Sequence, residues 1–380
     1  MKKIDIIVPN FDDFGAPRVA INVANGLMEH YDINFVVFQN KGPFRFYLNP
    51  KIKVVCLDNN ILNIPKIRII NRMFAYWKFS KKNKTDIAIS FSPVTNFIIL
   101  FSKLLNKKLK TIIQEHVYVS LFLKDRESVS YVYDLLFKSV FLKFYNLSDI
   151  FLVVAEEIKR DLVTNFGMRE NFFRVVKNPL DIQEVLRMSE DVIDDFYFDN
   201  NKKYLISVGR LAAQKNFKRL IDIFDSAKKH IDNLELIIIG KGNLEKELKD
   251  YANKKQLTGS IHFLGFKKNP YKYIKRADCF CLTSDWEGFA LVNAEAMLCG
   301  TVVVTNNCPA GPAEMIENHV NGIIVDYCNN DLFVKEVIGI LNNDNHKKKL
   351  EKNAYEFALR EFTIEKCIIK YKEILNSMDV

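Results

Sequence analysis

The sequence predicts an α/β protein built from two Rossmann-like, doubly wound parallel sheets. Short, almost wholly apolar runs typical of buried strands alternate along the chain with longer amphipathic segments typical of helices. The chain has 380 residues, which exceeds the size at which a single hydrophobic core keeps growing. Loops with glycine and charged residues follow several predicted strands, at the sheet edge where ligands bind in open α/β folds.

The predicted boundary between the two domains lies near residue 180, because the last strand of the first domain ends at Asn178-Pro179 and proline stops regular structure. The first domain is therefore residues 1–179 and the second residues 180–362, beginning with an acidic connecting helix at 181–195. The predicted strands lie at 4–8, 33–38, 54–57, 86–91, 111–114, 150–154, 173–176, 204–208, 234–239, 261–264, 277–282, 301–304 and 322–325. The other main predicted helices lie at 19–28, 66–84, 96–105, 128–146, 156–165, 217–229 and 244–253.

The composition is that of an ordered globular protein, with 48% hydrophobic residues, 14 Gly and 10 Pro. The sequence contains no run of eighteen uncharged apolar residues, and Met1 leads directly into a strand, so we expect neither a membrane-spanning helix nor a signal peptide. Seven cysteines without paired metal-ligand spacing suit a reducing compartment. These features predict a cytoplasmic protein without a metal site.

The positive charge is concentrated in the first half of the chain. Residues 1–180 hold 27 Lys and Arg against 16 Asp and Glu, whereas residues 181–380 hold 28 against 30. Such a face attracts anionic partners such as lipid, nucleic acid or a phosphorylated substrate. The basic, aromatic patches at 66–84 and 101–146 suggest contact with a membrane interface, although most aromatics of the helix at 128–146 are expected in the core. Nucleic-acid binding is disfavoured, because base-stacking aromatics belong on a sheet face or in a groove.

The central stretch of the sequence is Ser284 to Gly300, SDWEGFALVNAEAMLCG, which reads as a turn followed by a helix. Glu287 lies in the turn and Glu295 lies eight residues on, about two helical turns away, so both are expected on one side. Between them, the residues expected to contribute the first helical N–H groups are Gly288, Phe289, Ala290 and Leu291. Such groups lack intrahelical acceptors, so the stretch predicts either an anion site or an ordinary capped surface helix.

Other strand ends of the second domain also carry residues suited to a ligand. Arg210 and Lys215 follow one strand and precede a helix, and a guanidinium and an ammonium together can neutralise a diphosphate. The glycines and the aromatic residue at these strand ends are Gly209, Gly240, Gly242, Gly265 and Phe266. Four consecutive strand ends of this kind favour a binding site over a plain scaffold.

The first domain offers two candidates. Gly15 lies in the loop predicted between the first strand and the first helix, although a single glycine is a weak phosphate-binding signal. His116 follows a predicted strand directly, so it is either a site residue or a loop histidine with satisfied hydrogen bonds.

These residues resemble the successive motifs of the retaining glycosyltransferases of family 4, which have the GT-B fold with two domains facing a central cleft. The resemblance rests on GRLAAQKN, GKGNLEKEL, FLGF, SDWEGFALVNAEAMLCGTVVVT and CPAGPAEMI in the second domain. It extends to FGAPRVAINVANGL, QEH and VKNPLD in the first. It covers nearly the whole chain, and it implies that the last helix, 363–376, crosses back to the first domain.

The resemblance implies a role for each candidate. Arg210 and Lys215 are expected to hold the diphosphate of a nucleotide sugar and Glu295 its ribose hydroxyls. Glu287 is expected beside the hexose, with the N–H groups of Gly288 to Leu291 on sugar or phosphate. Gly209, Gly240 and Gly242 belong to the donor site, Gly265 and Phe266 to the nucleobase loop. Gly15 is expected at the diphosphate and His116 at the donor sugar. The family works without a cofactor or divalent metal.

Two positions depart from the family pattern. Pro17 stands where the family usually has Glu, so an acidic role at that position is absent. Asn293 replaces a more usual apolar residue on the central helix. No residue is identified as a covalent nucleophile, which is compatible with a front-face mechanism in which the leaving phosphate helps to deprotonate the acceptor.

The predicted function is transfer of a hexose or N-acetylhexosamine, most simply from a UDP-sugar, to a lipid-linked glycan in bacterial surface polysaccharide or glycolipid synthesis. The charged first domain is expected to contact the cytoplasmic face of an anionic membrane peripherally. The alternatives are another GT-B enzyme, such as a sugar-nucleotide epimerase or a phosphorylase, and a non-catalytic protein that binds a nucleotide sugar.

Overall fold

A computed structural model describes residues 1–12, 15–58, 68–124, 144–327 and 329–378. The chain divides into two compact units, the first formed by Met1–Leu180 with Ile364–Val380 and the second by Asp181–Thr363. Each unit contains one parallel sheet, so the predicted fold class of two doubly wound sheets is confirmed. None of the helices in the described ranges is both long and apolar enough to cross a membrane.

The sheet of the first unit has the strand order β3-β2-β1-β4-β5-β6-β7 among the described residues, and every pair is parallel. The strands are nearly continuous apolar runs because both faces of a parallel sheet are covered by helices. Its strands are β1 (Lys3–Val8), β2 (Asp32–Val37), β3 (Lys53–Cys56), β4 (Ile87–Ser90), β5 (Lys110–Glu115), β6 (Ile150–Val153) and β7 (Phe173–Val175).

The helices of the first unit include one from the end of the chain. They are α1 (Gly15–Leu27), α2 (Arg68–Asn83), α3 (Pro93–Leu105), α4 (Val119–Lys124), α5 (Glu156–Phe166) and, after the second unit, α14 (Ile364–Ser377). The last helix packs on α1 at Gly26, where an added Cβ would lie 2.3 Å from an Ile368 side-chain atom. Tyr371 donates to the Oε1 atom of Gln114 over 2.5 Å, which ties the same helix to β5.

The sheet of the second unit has the order β10-β9-β8-β11-β12-β13 within the described part of the chain, again parallel throughout. Its strands are β8 (Lys203–Val208), β9 (Leu234–Ile239), β10 (Ile261–Gly265), β11 (Cys279–Leu282), β12 (Val302–Asn306) and β13 (Ile323–Val325). Its helices are α6 (Ile182–Ser189), α7 (Phe217–Lys228), α8 (Glu245–Lys254), α9 (Tyr271–Ile274), α10 (Leu291–Leu298), α11 (Pro312–Met315), α12 (Asn330–Asn342) and α13 (Asp344–Glu361).

The strand order explains where a site can form in the second unit. The first strand, β8, lies between β9 and β11. The strands from β8 to β10 are therefore added toward one edge of the sheet, and those from β11 to β13 toward the other edge. The loops after these two strands turn to opposite faces of the sheet and leave a crevice at its carboxyl edge, the usual ligand position in such folds. These loops contain Arg210, Lys215 and Glu287.

Three sequence-based boundaries need correction. Gly15 is the first residue of α1 and not a loop residue, because the helix begins four residues earlier than predicted. The connecting helix ends at Ser189 and not at Asp195. Gly288 and Phe289 precede α10, which begins at Leu291. The predicted helix at 128–146 falls almost wholly on residues 125–143, which lie outside the described residues.

Candidate donor site of the second unit

The loops after β8 and β9 pack backbone against backbone. A Cβ atom added to Gly240 would lie 1.9 Å from the carbonyl oxygen of Gly209, and one added to Gly242 would lie 2.1 Å from that of Leu211. The Leu211 N–H donates to the Lys241 carbonyl at 3.0 Å, which fixes this contact. The packing of the two loops therefore explains why Gly240 and Gly242 are glycines without reference to a ligand.

Lys215 and Glu287 form a largely buried ion pair. The Nζ atom of Lys215 lies 2.6 Å from Oε1 of Glu287, and Ser284 donates to the same oxygen at 2.5 Å. The side chains of the lysine and the glutamate are 16% and 6% exposed. The lysine stem runs over Gly209, where an added Cβ would lie 3.3 Å from its Cε atom. The positive charge of Lys215 is therefore balanced within the protein, which the sequence did not predict.

The segments that carry this pair are joined by further hydrogen bonds. The Asp285 N–H donates to the Gln214 carbonyl at 2.8 Å, and the Gln214 amide donates to the Trp286 carbonyl at 3.0 Å. Asn216 donates to Oδ1 of Asp285 at 2.8 Å, and Tyr327 donates to the same atom at 2.9 Å. Both segments are thus fixed in position before any ligand binds, which is the condition for electrostatic preorganisation.

Arg210 differs from Lys215 in its surroundings. It follows β8 directly and is exposed. No hydrogen-bond or ion-pair partner of its guanidinium is found among the described residues, so it supplies uncompensated positive charge at the carboxyl edge of the sheet. A planar guanidinium in this state can bind a phosphate through two parallel hydrogen bonds.

A run of backbone N–H groups near Glu287 lacks acceptors. The Glu287 N–H donates to the Pro309 carbonyl at 3.0 Å and the Asn293 N–H to the Ala290 carbonyl at 2.8 Å. Within the described ranges no acceptor is found for the five N–H groups between them, from Gly288 to Val292. Two of these five groups belong to the first turn of α10, where amides lack intrahelical acceptors and anions bind.

The backbone at this point is held in an unusual conformation. Ala290 has φ 51° and ψ 46°, the left-handed region that residues other than glycine rarely occupy. The ring of Phe289 is buried and packs on Phe362 at a centroid distance of 5.9 Å. A Cβ on Gly311 would lie 2.8 Å from the Phe289 carbonyl carbon, so the loop after β12 supports the turn from behind. Strain of this kind is concentrated at functional sites.

Glu295 has a different partner from Glu287. The Tyr271 hydroxyl donates to Oε1 of Glu295 at 3.2 Å. The helical spacing from which both carboxylates were expected on one side does not apply, because Glu287 lies before α10 begins.

Leu291 is the first residue of that helix and is half-buried.

The loop after β10 completes this edge of the sheet. The Gly240 N–H donates to the Gly265 carbonyl at 2.9 Å, which joins this loop to the one after β9. Gly265 has φ +67°, a conformation that favours glycine. The Phe266 side chain is 46% exposed, so its ring is accessible to a flat ligand such as a nucleobase.

Asn293 has a buried amide without partners. The residue is fully buried on α10, and neither Oδ1 nor Nδ2 has a hydrogen-bond partner among the described residues. A buried amide in this state costs free energy, which explains why an apolar residue is the more usual choice there.

The two candidates of the first unit lie on separate elements. His116 follows β5, its ring stacks on Phe91 at 6.0 Å, and its Nε2 atom is buried without a partner among the described residues. Burial lowers the pKa of His116 to about 3, so the imidazole is neutral near pH 7. Gly15 is exposed, and an added Cβ would meet nothing within 4 Å, so internal packing does not require a glycine there.

Glu115 is a residue that the sequence analysis did not single out. It is 1% exposed at the end of β5, and its Oε1 atom accepts hydrogen bonds from Asn96 at 2.9 Å and Tyr145 at 2.8 Å. Its Oε2 atom is buried without a partner within the described residues. Burial raises the pKa of Glu115 to about 7, despite the two donors. The available signal was an acid at the carboxyl end of a predicted strand, directly before His116.

Replacing Glu115 with glutamine is expected to change the pH dependence of stability. The raised pKa means that the carboxyl stabilises the fold below its unfolded pKa of about 4.5, and that this contribution is lost as the pH rises through about 7. Relative to Glu115→Gln, the native protein should lose on the order of 3 kcal/mol between pH 4.5 and 8. Asp5 and His116 also have shifted pKa values, but they are common to both proteins and cancel.

The measurement is urea unfolding at pH 5 and pH 8. The chain has two tryptophans, so in a Trp286→Phe background the fluorescence of Trp77 reports on the first unit alone. A difference in unfolding free energy that stays constant with pH would show that the native carboxyl has an ordinary pKa.

Two family models match the chain. The model described as Glycosyltransferase Family 4 matches residues 15–184, and the one described as Glycosyl transferases group 1 matches residues 189–357. The two matches correspond to the two sheets and their helices and include the second unit's candidate site.

Three individual proteins illustrate the similarity. A Campylobacter jejuni protein, named as a 4-alpha-N-acetylgalactosaminyltransferase of a diphospho-undecaprenol-linked sugar, is 24% identical over 93% of this chain and 94% of its own. The amylovoran biosynthesis glycosyltransferase AmsD of Erwinia amylovora is 25% identical over 99% of this chain and 100% of its own. The crystal structure of Anabaena HepE with UDP and glucose superposes with a TM-score of 0.82 at 18% identity, covering 99% of this chain and 100% of that one.

Proposed function

Because the chain belongs to the group 1 glycosyltransferases of family 4 and is an enzyme with the GT-B fold, we propose that it transfers a hexose or N-acetylhexosamine from a UDP-sugar to a lipid-linked glycan. The reaction would retain the anomeric configuration, need no divalent metal and serve bacterial surface polysaccharide or glycolipid synthesis. The observation that supports this best is the run of five N–H groups from Gly288 to Val292, which have no acceptor among the described residues, beside the Lys215–Glu287 pair. Such a run suits the phosphate and sugar oxygens of a donor.

The residues of the second unit divide the work in this proposal. Arg210 neutralises the negative charge that grows on the diphosphate as the sugar leaves, and Lys215 supplies its remaining N–H donors to the same group. Lys215 and Ser284 occupy the Oε1 atom of Glu287. Its other oxygen, Oε2, accepts hydrogen bonds from the sugar hydroxyls. Phe266 stacks on the base and Glu295 holds the ribose.

The step itself breaks the bond between the anomeric carbon and the donor phosphate oxygen and forms a bond to the acceptor oxygen. The acceptor proton passes to the departing phosphate oxygen, which becomes more basic as its bond to the anomeric carbon breaks. Glu287 is a poor nucleophile while it is paired with Lys215, which favours this front-face route over a covalent intermediate.

A donor screen tests this function. Purified protein in EDTA would be titrated with UDP-, GDP- and ADP-sugars by saturation-transfer NMR, and the tightest donor would then be offered to a diphospho-undecaprenol-linked sugar. We expect transfer of the sugar with the anomeric configuration retained. Conversion of the donor to another sugar nucleotide without any acceptor would support an epimerase, and binding without turnover would support a non-catalytic role.

A lipid-linked acceptor requires contact with a membrane, and the first unit has a surface suited to it. Phe74 of α2 and Phe101 of α3 pack with ring centroids 5.1 Å apart, which brings the two helices together. Around this contact lie five exposed apolar side chains, here called the α2–α3 surface: Ile69, Ile70, Phe74, Leu104 and Leu105. From residue 68 to residue 110 there are ten Lys and Arg and one acid, Asp86. We propose that this surface binds a bilayer at the boundary between the acyl chains and the anionic headgroups. Its apolar side chains would insert there while its positive charges attract the headgroups.

Two substitutions on this surface are expected to weaken binding to vesicles containing phosphatidylglycerol. Phe74→Glu with Leu105→Glu removes two exposed apolar side chains and adds two like charges at the lipid, so partitioning should fall at least about ten-fold. Binding of the native protein should weaken as salt rises, because exposed charges are screened over roughly 8 to 10 Å at physiological ionic strength.

The matched control is Ile369→Glu with Val192→Glu. Both residues are exposed, at 56% and 82%, and neither lies on the α2–α3 surface, yet the double variant adds the same charge. Equal loss of binding in the two double variants would show that the change in net charge alone weakens binding, and not the loss of the α2–α3 surface. If vesicle binding by the native protein depended neither on salt concentration nor on anionic lipid, the membrane proposal would be wrong.

A further inference from the structure

The carboxylate proposed to hold the ribose is itself held by a tyrosine. The Tyr271 hydroxyl donates to Oε1 of Glu295 at 3.2 Å, and both side chains are half-buried. We propose that Tyr271 is a positioning residue that sets the selectivity of the site for ribose over deoxyribose by orienting the Glu295 carboxylate. This inference rests on the proposed function, because it takes Glu295 as the partner of the ribose hydroxyls.

The backbone of Tyr271 is held in place by hydrogen bonds through Asn269. Its N–H donates to Oδ1 of Asn269 at 3.1 Å. The amide of Asn269 donates in turn to the Met188 carbonyl and to Oδ2 of Asp191, both at 2.8 Å. The short helix α9 is therefore attached to the end of α6, and the tyrosine hydroxyl reaches Glu295 from an anchored backbone.

The chemistry of a vicinal diol explains why orientation matters. A carboxylate offers about four lone-pair sites on two oxygens, and a ribose presents two adjacent hydroxyl donors. Both hydroxyls can be bound together only if the carboxylate plane faces them. The tyrosine occupies one site on Oε1 and so limits the rotation of a side chain that has many rotamers.

A nearby tyrosine provides a built-in comparison. Tyr273 lies on the same short helix, but its hydroxyl donates to Oδ1 of Asp195 and its side chain is buried. Both tyrosines thus donate to a carboxylate from α9, yet one of them contacts a residue of the proposed donor site. Removal of either hydroxyl perturbs the same helix, whereas only removal of the Tyr271 hydroxyl takes away a hydrogen bond to Glu295.

The test uses a pair of ligands that differ by one hydroxyl. The nucleoside diphosphate that binds best among UDP, GDP and ADP, and its 2′-deoxy form, would be titrated calorimetrically into native protein, Tyr271→Phe and Tyr273→Phe. We expect the dissociation constant of the 2′-deoxy form divided by that of the ribose form to fall by about three- to ten-fold in Tyr271→Phe. This change corresponds to the loss of about one hydrogen bond. The ratio should be unchanged in Tyr273→Phe, even if that protein is less stable.

Kinetics give a second readout. Tyr271→Phe should raise the KM for the donor while kcat at saturating donor stays close to native, because the hydroxyl acts on nucleotide binding and not on the sugar. An unchanged ribose-to-deoxyribose ratio in Tyr271→Phe, with normal binding by native protein, would overturn the role of Tyr271 alone. Failure of native protein to bind any of the nucleoside diphosphates would overturn the proposed function as well.

Discussion

Replacing Arg210 or Lys215 with alanine is expected to reduce turnover by about 10²-fold or more, the usual effect of removing one group that stabilises developing negative charge. The two variants should differ in stability. Arg210 is exposed and has no partner among the described residues, so Arg210→Ala should fold like the native protein. Lys215→Ala leaves the buried Glu287 carboxylate without its cation, which typically costs roughly 3 to 5 kcal/mol.

A double variant separates the two effects of Lys215. Lys215→Ala with Glu287→Ala removes both charges and should recover much of the stability lost in the single variant, while activity stays low. Lys218→Ala is the matched control, since this exposed lysine lies three residues away on α7 and contacts the Tyr251 ring instead. Chemical denaturation and initial rates would be measured on all of these variants. Near-native rates in both Arg210→Ala and Lys215→Ala would rule out the assigned role.

Replacing Gly242 with alanine is expected to destabilise the second unit by at least about 3 kcal/mol, at the upper end of the cost of overpacking. The added Cβ would lie 2.1 Å from the Leu211 carbonyl oxygen, 2.5 Å from its carbonyl carbon and 2.7 Å from its nitrogen. All three are backbone atoms, so no side chain can move aside, and the loops after β8 and β9 would have to separate. Arg210 lies in one of these loops, so the remaining folded protein should also lose activity.

The matched control is Gly259→Ala. An added Cβ at that position meets nothing within 4 Å, and Gly259 is not among the glycines with positive φ. Its unfolding free energy should stay within about 0.5 kcal/mol of native. The measurement is urea unfolding followed by Trp286 fluorescence in a Trp77→Phe background. Equal stability of the two alanine variants would contradict the close packing of the loops.

The strands were predictable because burial of both sheet faces leaves a local signal. The run CFCL at β11 is wholly apolar, LELIII at β9 is apolar except for Glu235, and glycine or polar residues end both runs. The helix after residue 180 was overestimated for a tertiary reason. The acids that follow Ser189 pair with lysines near α9 instead of continuing the helix: Lys275 with Glu190, Lys272 with Asp194 and Lys267 with Asp195.

The site residues were predictable as a set, but their pairing was not. The sequence groups Arg210 with Lys215 because they are five residues apart. The structure instead pairs Lys215 with Glu287, 72 positions away, because β8 and β11 are neighbours in the sheet. The left-handed Ala290 and the contact of Tyr271 with Glu295 likewise depend on distant loops, so no local pattern indicated them. A glycine that packing requires and a glycine that a ligand requires look the same in one sequence.

The most direct test of the central claim is calorimetric titration of UDP into native protein and into Arg210→Gln/Lys215→Gln, with EDTA present throughout. The account predicts that native protein binds UDP without a divalent metal and that the double variant binds it at least about 10²-fold more weakly. Equal affinity of the two proteins for UDP, or binding by native protein that appears only after a divalent metal is added, would contradict it.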